Sequence, residues 1–273
     1  MTMPETAIAV SPILPLKTQA RWDCELADEA LYGMELELLR LDGDWAYVRT
    51  PYRYEGWAPL SGLLRDQACL ERWRRQDKMV VLRSFADVMH EPKVQSYPYL
   101  TLPRGALVAV GEEQDGWRAV YLADGSLGYV RGCWLGAWKR SYDLSDEESL
   151  RKGLVEAAMA YLGTQYRWGG KTCEGIDCSG LCSMAYLLNG SVIYRDAAVR
   201  EGFDMHKIPY EALKPGDLLF FKGHVAMWLG EERILHSTGH AGDDGVVINT
   251  LRPGEPDSRA DLKDILLYCG SIF

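Results

Sequence analysis

The stretch Gly169–Leu188, GGKTCEGIDCSGLCSMAYLL, places three of the chain's seven cysteines, Cys173, Cys178 and Cys182, within ten residues. A metal site, a disulfide and one reactive thiol beside structural neighbours are the three chemistries to weigh. Structural zinc takes four ligands, commonly from CxxC pairs, and no CxxC occurs in the chain. A Cys173–Cys178 disulfide is sterically possible, yet an odd, scattered set (24, 69, 133, 173, 178, 182, 269) is unlike the dense frameworks of small secreted scaffolds. Cys182 reads as a core-facing helix residue, in the company of Leu181, Ala185 and Leu188. Cys178 differs. The loop RWGGKTCEGID runs up to it, and a helix is predicted from Asp177 or Cys178 to Asn189–Gly190. Unpaired N–H groups and the positive end of the macrodipole lie at such a start, and a thiol there is expected to have a lowered pKa.

A nucleophile needs a base, and the base needs a third group to hold it. Of the five histidines, His224 in KGHVAMWLG and His236 in RILHSTG sit at the ends of apolar strands. Adjacent antiparallel strands joined by the GEER turn bring them side by side. Spacing alone leaves two readings open: a Cys–His–His set, or two satisfied strand histidines. His90, His206 and His240 read as surface or loop residues.

Working outward, SDEESLRKGLVEAAMAYLG predicts a helix with Ser145 as N-cap, Glu148 as capping-box partner and Gly163 as its end. After the second helix, GDLLFF, HVAMWLG, RILHST, GVVINTL and DILLYCGSIF read as strands of an antiparallel meander. Together these give an α+β domain over 141–273. Upstream, short alternating strands are punctuated by Gly and Asp, and Trp45 to Trp57 echoes Trp117 to Tyr129 at the same separation. The echo predicts two small all-β barrels of related design, 1–75 and 76–140, against the alternative of one larger β-domain. Trp45, Trp57, Trp117, Trp134 and Trp138 are read as barrel core.

A net charge of −9 argues against a nucleic-acid partner, which calls for a clustered basic face. The one basic cluster, RWRRQDK from Arg72, contains an acid and reads as a solvated linker or helix face. No window has the ~18 consecutive apolar residues of a membrane span. MTMPETAIAVSPILPLKTQARW does not read as a secretory signal, so a cytoplasmic location is expected.

With YRWGG at Tyr166, DCSGL at Asp177, RD at Arg195, LKPGDLLFF at Leu213, GHVAMWLG at Gly223 and ILHSTG at Ile234 in view, the chain resembles the NlpC-type, papain-like cysteine peptidases of the bacterial cell wall. The likeness covers nearly all of the last ~130 residues, consistent with the α+β domain. The upstream barrels look like bacterial SH3-like domains. Two of them before a papain-like domain are similar to the YkfC-like branch, γ-D-glutamyl-L-diamino-acid endopeptidases of murein peptides. The resemblance implies Cys178 as nucleophile, His224 as general base, His236 as its orienting group and Tyr166 in the oxyanion hole. It further implies that the free amine of an N-terminal L-Ala is recognised by Asp177 and Ser179. Glu25 in CELADEALYG and Tyr54 in RYEGW add to that site from the first barrel, with Tyr52 competing for the role of Tyr54. Ala197 follows Asp196 where the family often has Ser, which removes one polar contact. The implied substrates are small murein peptides, L-Ala-γ-D-Glu-diamino acid, with no metal or cofactor. The alternatives are a broader hydrolase of intact peptidoglycan and a catalytically idle murein-peptide binding protein.

Overall fold

Period-two apolar patterning broken by Gly and Asp turns divides the first part of the chain into short strands. The computed structural model describes residues 5–273, so the first four residues of the expected first domain lie outside the described residues. The chain divides after Trp138 into two compact units.

In the first unit, β1 (Thr6–Ala9), β2 (Ile13–Lys17), β3 (Leu26–Leu31), β4 (Glu35–Asp42), β5 (Trp45–Arg49), β6 (Glu55–Pro59) and β7 (Leu63–Leu64) form one sheet in the order β3-β2-β6-β5-β4-β1-β7. A helix, α1 (Gln67–Arg75), follows. Then β8 (Lys78–Val81), β9 (Phe85–Met89), β10 (Pro98–Pro103), β11 (Leu107–Gln114), β12 (Trp117–Tyr121), β13 (Leu127–Arg131) and β14 (Leu135–Ala137) form a second sheet, β10-β9-β13-β12-β11-β8-β14. The second order is the first with every label advanced by seven. The tryptophan echo falls on equivalent strands: Trp45 opens β5 and Trp117 opens β12, while Tyr47 pairs with Trp57 as Ala119 pairs with Tyr129. Trp45, Trp57 and Trp117 are buried, and Trp134 and Trp138 half-buried.

The basic cluster belongs to α1. Asp66 caps this helix by accepting from Cys69 N at 2.8 Å, and Arg72, Arg74 and Arg75 occupy its last turn, where cations suit the dipole. Its apolar side is buried between the sheets. Trp73 donates from Nε1 to Gly33 O at 3.1 Å, and its ring meets Tyr32 edge-on with centroids 6.5 Å apart. Tyr32 in turn accepts from Ala123 N at 2.9 Å. Ile8 and Tyr32 share one apolar cluster with Leu70 and Trp73 of α1 and with Val81, Val108 and Val120 of the second sheet, while Leu14, Leu16, Leu36 and Val48 belong to a separate cluster inside the first sheet. Gly33, at φ +82°, must be glycine here, because a Cβ would lie 2.7 Å from the Trp73 ring.

The second unit opens with α2 (Glu147–Met159). Its cap is Asp146, which accepts from Ser149 N at 3.1 Å, rather than Ser145. Ser145 is taken up in a preceding 3-10 turn whose own cap is Asp143, so the expected capping box with Glu148 does not form. A short hairpin, β15 (Lys171–Thr172) and β16 (Gly175–Ile176), leads into α3 (Cys178–Leu188). The strands β17 (His206–Ile208), β18 (Leu218–Phe221), β19 (His224–Gly230), β20 (Arg233–Thr238), β21 (Gly245–Thr250) and β22 (Leu266–Ser271) form a sheet ordered β17-β22-β18-β19-β20-β21. Four strands are a meander, but β22 returns beside β18 instead of extending it. The three-residue β17 is too short to show a period. Apolar on nearly every side, α3 is buried against β19 and β20.

Truncating Trp73 removes the ring that ties α1 to the first sheet through Gly33 and Tyr32 and packs it in the cluster of the second. Trp73→Ala is expected to cost about 3–5 kcal/mol, read from chemical denaturation, with tryptophan probes in both sheets shifting together. Separate transitions for the two sheets would show independent cores.

Candidate active site

The head of α3 is fixed by Asp177, whose extended backbone (φ −91°, ψ 177°) turns the chain into the helix. Its Oδ1 accepts from Gly180 N at 2.6 Å, Ser179 Oγ at 3.1 Å and Arg195 Nη1 at 3.0 Å. Its Oδ2 accepts from Gly169 N at 2.8 Å and Arg195 Nη2 at 3.0 Å. Arg195, 1 % exposed, also donates to Ser179 Oγ and to Gly170 O. A carboxylate offers about four lone-pair sites, and those of Asp177 are already filled. This carboxylate holds the loop, the helix start and Arg195. Gly180 is forced by the same packing, since a Cβ there would lie 2.2 Å from Gly170 O.

Cys178, the first residue of α3, is 8 % exposed. Its sulfur accepts from the backbone N–H groups of Ser179 and of Val225, the residue after His224. The two amides favour the thiolate, as expected for a helix start. Burial outweighs them and, with the Asp177 carboxylate, pushes the thiol up to about 11. The expected lowering is thus reversed by desolvation. Tyr166, half-buried and bridged to Ile176, is pushed up to about 12 by burial and then by the charges of Cys178 and Asp177. It therefore keeps its proton at neutral pH.

The histidines come from consecutive strands. Phe221 pairs with His224 across a two-residue turn, in which Gly223 takes φ +74°. His224 thus begins β19. Register pairs Met227 with Leu235 and Ile234 with Asn249, so His224, His236 and Asn249 lie diagonally across β19, β20 and β21. His224 Nε2 is 2.7 Å from His236 Nδ1, and His236 Nε2 is 2.6 Å from Asn249 Oδ1. His236 and Asn249 are buried. Burial, then the neighbouring His236 and Arg259, takes His224 from its ordinary 6.5 to about 3. Burial also lowers His236, against the opposing bond from Asn249. Both rings are neutral at neutral pH.

A narrow concavity near the start of α3 is lined by Ser179, Tyr194, Asp196, Arg200 and Val225 among others. Asp196 presents an exposed carboxylate there. All seven cysteines are free thiols, and Cys182 is buried as expected. Among the described residues no three His, Cys, Asp or Glu side chains group to hold a metal.

Cys178, His224, His236, Tyr166, Asp177 and Ser179 are thus gathered in the second unit, whereas Glu25 and Tyr54 belong to the first. There Glu25 is exposed just before β3, while Asp28 and Glu29 are the buried acids of CELADEALYG. Tyr52, rather than Tyr54, is the buried tyrosine, donating to Asp28 Oδ2 at 2.5 Å. Sequence reasoning missed Asn249, whose one signal was a polar residue inside the apolar run GVVINTL. It also missed the fork of Arg195 on Asp177, although the RD pair was in view.

The pattern of the NlpC/P60 family matches residues 163–256. The chain is 41% identical over 272 residues to dipeptidyl-peptidase 6 of Lysinibacillus sphaericus, spanning 98% of this chain and 99% of that one. It is 31% identical over 131 residues to the gamma-DL-glutamyl hydrolase of Bacillus subtilis (strain 168), spanning 44% and 30%. Its fold is similar to the crystal structure of an NlpC/P60 family protein from Bacillus cereus ATCC 10987, with a TM-score of 0.78 at 21% identity over 97% of this chain and 98% of that one.

Gly180→Ala adds a methyl group where the Gly170 carbonyl already sits. Overpacking of about 1–3 kcal/mol is expected to exceed the roughly 1 kcal/mol that alanine gains in a helix. A denaturation midpoint at or above the parent's would show that the loop moves aside freely.

Proposed function

The chain belongs to the NlpC/P60 family of cysteine peptidases, and from that premise we propose that it hydrolyses the γ-D-glutamyl–L-diamino acid amide of murein peptides bearing a free N-terminal L-Ala. What supports the reading is the line Asn249–His236–His224 together with a buried thiol at a helix start that meets the backbone of Val225, the residue after His224. The similarity to a dipeptidyl-peptidase over both units agrees with release of a dipeptide, L-Ala-γ-D-Glu, and the gamma-DL-glutamyl hydrolase adds a γ-glutamyl precedent. The duplicated sheets are read as SH3-like domains over 1–75 and 76–140, preceding a peptidase domain over 141–273.

The resting pair is a neutral thiol and a neutral imidazole. As the substrate carbonyl approaches, the proton leaves Cys178 Sγ for His224 Nδ1 and the sulfur electron pair forms the bond to carbon. His236 holds the ring of His224, as the Asp of a serine triad holds its histidine. The Tyr166 hydroxyl and the Cys178 backbone N–H donate to the oxyanion, each contributing about 3 kcal/mol. The imidazolium then protonates the leaving amine, and water releases the acyl group. Asp196, exposed at the concavity with Ser179, is the carboxylate read as facing a substrate ammonium. An N-acylated peptide has no ammonium, and leaving the site's polar groups unpaired discriminates by up to ~10⁴-fold.

Purified protein assayed on L-Ala-γ-D-Glu-diamino acid is expected to release L-Ala-γ-D-Glu, and Cys178→Ala to lose about 10⁴-fold or more of that rate. Equal rates on the N-acetylated peptide would refute the amine-gated reading in favour of a broader peptidoglycan hydrolase. Retained turnover in Cys178→Ala would remove the nucleophile. Because burial lowers His224, its base form persists below the ordinary 6.5. The acid limb of kcat/KM is accordingly expected below pH 6.5, and a limb above it would contradict a desolvated ring.

A further inference from the structure

Neutral imidazole has two tautomers, and only one leaves Nδ1 of His224 able to take a proton. Asn249 decides between them by its own hydrogen bonds. Its Nδ2 faces Asp257 O at 3.1 Å and Asp243 Oδ1 at 3.4 Å. Both partners are acceptors only, so the NH₂ end must point to them and the carbonyl end must point to His236. Oδ1 has no proton to give. His236 Nε2, 2.6 Å away, must therefore carry one. Its Nδ1 is then a lone pair, and His224 Nε2, 2.7 Å away, must donate to it. What remains unprotonated is His224 Nδ1.

We infer that Asn249 is a positioning residue: by orienting its carbonyl toward His236 it fixes the tautomers of both histidines and leaves Nδ1 of His224 as the one basic lone pair. Asn249 is 2 % exposed, and its backbone pairs with Ile234 in the β20–β21 ladder. The amide is thus held by the sheet and by the 243 and 257 loops, not by substrate. Its neutrality matters as well. A carboxylate in its place would keep the acceptor geometry but add a charge that stabilises imidazolium. The charged side chains facing the two rings are Arg259, which disfavours the cation, and Asp243 and Asp261, which favour it at His236. An uncharged acceptor leaves that balance near neutrality. The inference rests on the peptidase reading for its consequence in rate, but not for the tautomers themselves.

The test uses the full chain labelled with ¹⁵N at histidine, in the parent, Asn249→Leu and Asn249→Asp. In the parent, NMR is expected to show His224 and His236 as Nε2–H tautomers, neutral at pH 7. Asn249→Leu is expected to lose that preference and to lower kcat about 10- to 100-fold with little change in KM, the scale seen when an outer partner of a working histidine is removed. Asn249→Asp is expected to keep the Nε2–H tautomers, retain more activity than Asn249→Leu, and move the acid limb of kcat/KM to higher pH. Parent tautomers in Asn249→Leu, with kcat within about twofold, would overturn the inference. So would equal losses in both variants with unchanged tautomers, which is what a merely structural role gives. Should Cys178→Ala keep its turnover, the peptidase assignment fails while the NMR result still decides the tautomers.

Discussion

One buried carboxylate holds the second unit's chemistry in place. Asp177 takes five donors: two backbone amides on either side of the helix start, a serine hydroxyl and both arms of Arg195. An ion pair this deep is costly to desolvate and is repaid only when the remaining lone pairs are satisfied. That condition is met here, and its product is geometric. The loop before α3, the first turn of the helix and the segment carrying Arg195 are locked to one another, and the sulfur of Cys178 meets the backbone of Val225 on β19.

Around that fixed point, burial does two opposed things to the reacting groups. It raises the thiol and lowers the imidazole, so neither is charged while the site waits. Charge separation is deferred until the substrate carbonyl supplies somewhere for the sulfur's electrons to go. Two backbone amides at the sulfur and a protonated Tyr166 nearby are fixed dipoles ready for that moment. Such preorganisation needs no rearrangement of solvent.

What the sequence makes legible follows from how local each signal is. The strands of the second unit are marked by unbroken apolar runs, and the second helix by a loop ending in a capping aspartate. The tryptophan echo falls on equivalent strands of two sheets that share one strand order. Other features depend on distant partners. Ser145 has the look of a cap, yet a 3-10 turn moved the cap one residue on. Asp177 carries both a cap and a buried Arg195 from 18 residues away, and no spacing reveals that its lone pairs are spent. The thiol's shift could not be read either, because a helix dipole is visible in sequence whereas desolvation is a property of the packed interior. Asn249 escapes for the same reason: its meaning arises only when three strands are laid side by side.

That last arrangement has a consequence for how the protein can vary. The polar line cuts across the strands, each of which lends it a single residue. Changing one apolar neighbour repacks a core position and leaves the line whole. Adding one residue to either tight connection that sets the alignment turns a ring toward the opposite surface, because neighbouring positions on a strand face opposite ways. The lengths of the Lys222–Gly223 and Glu231–Glu232 corners are therefore as much a part of the chemistry as the imidazoles they deliver.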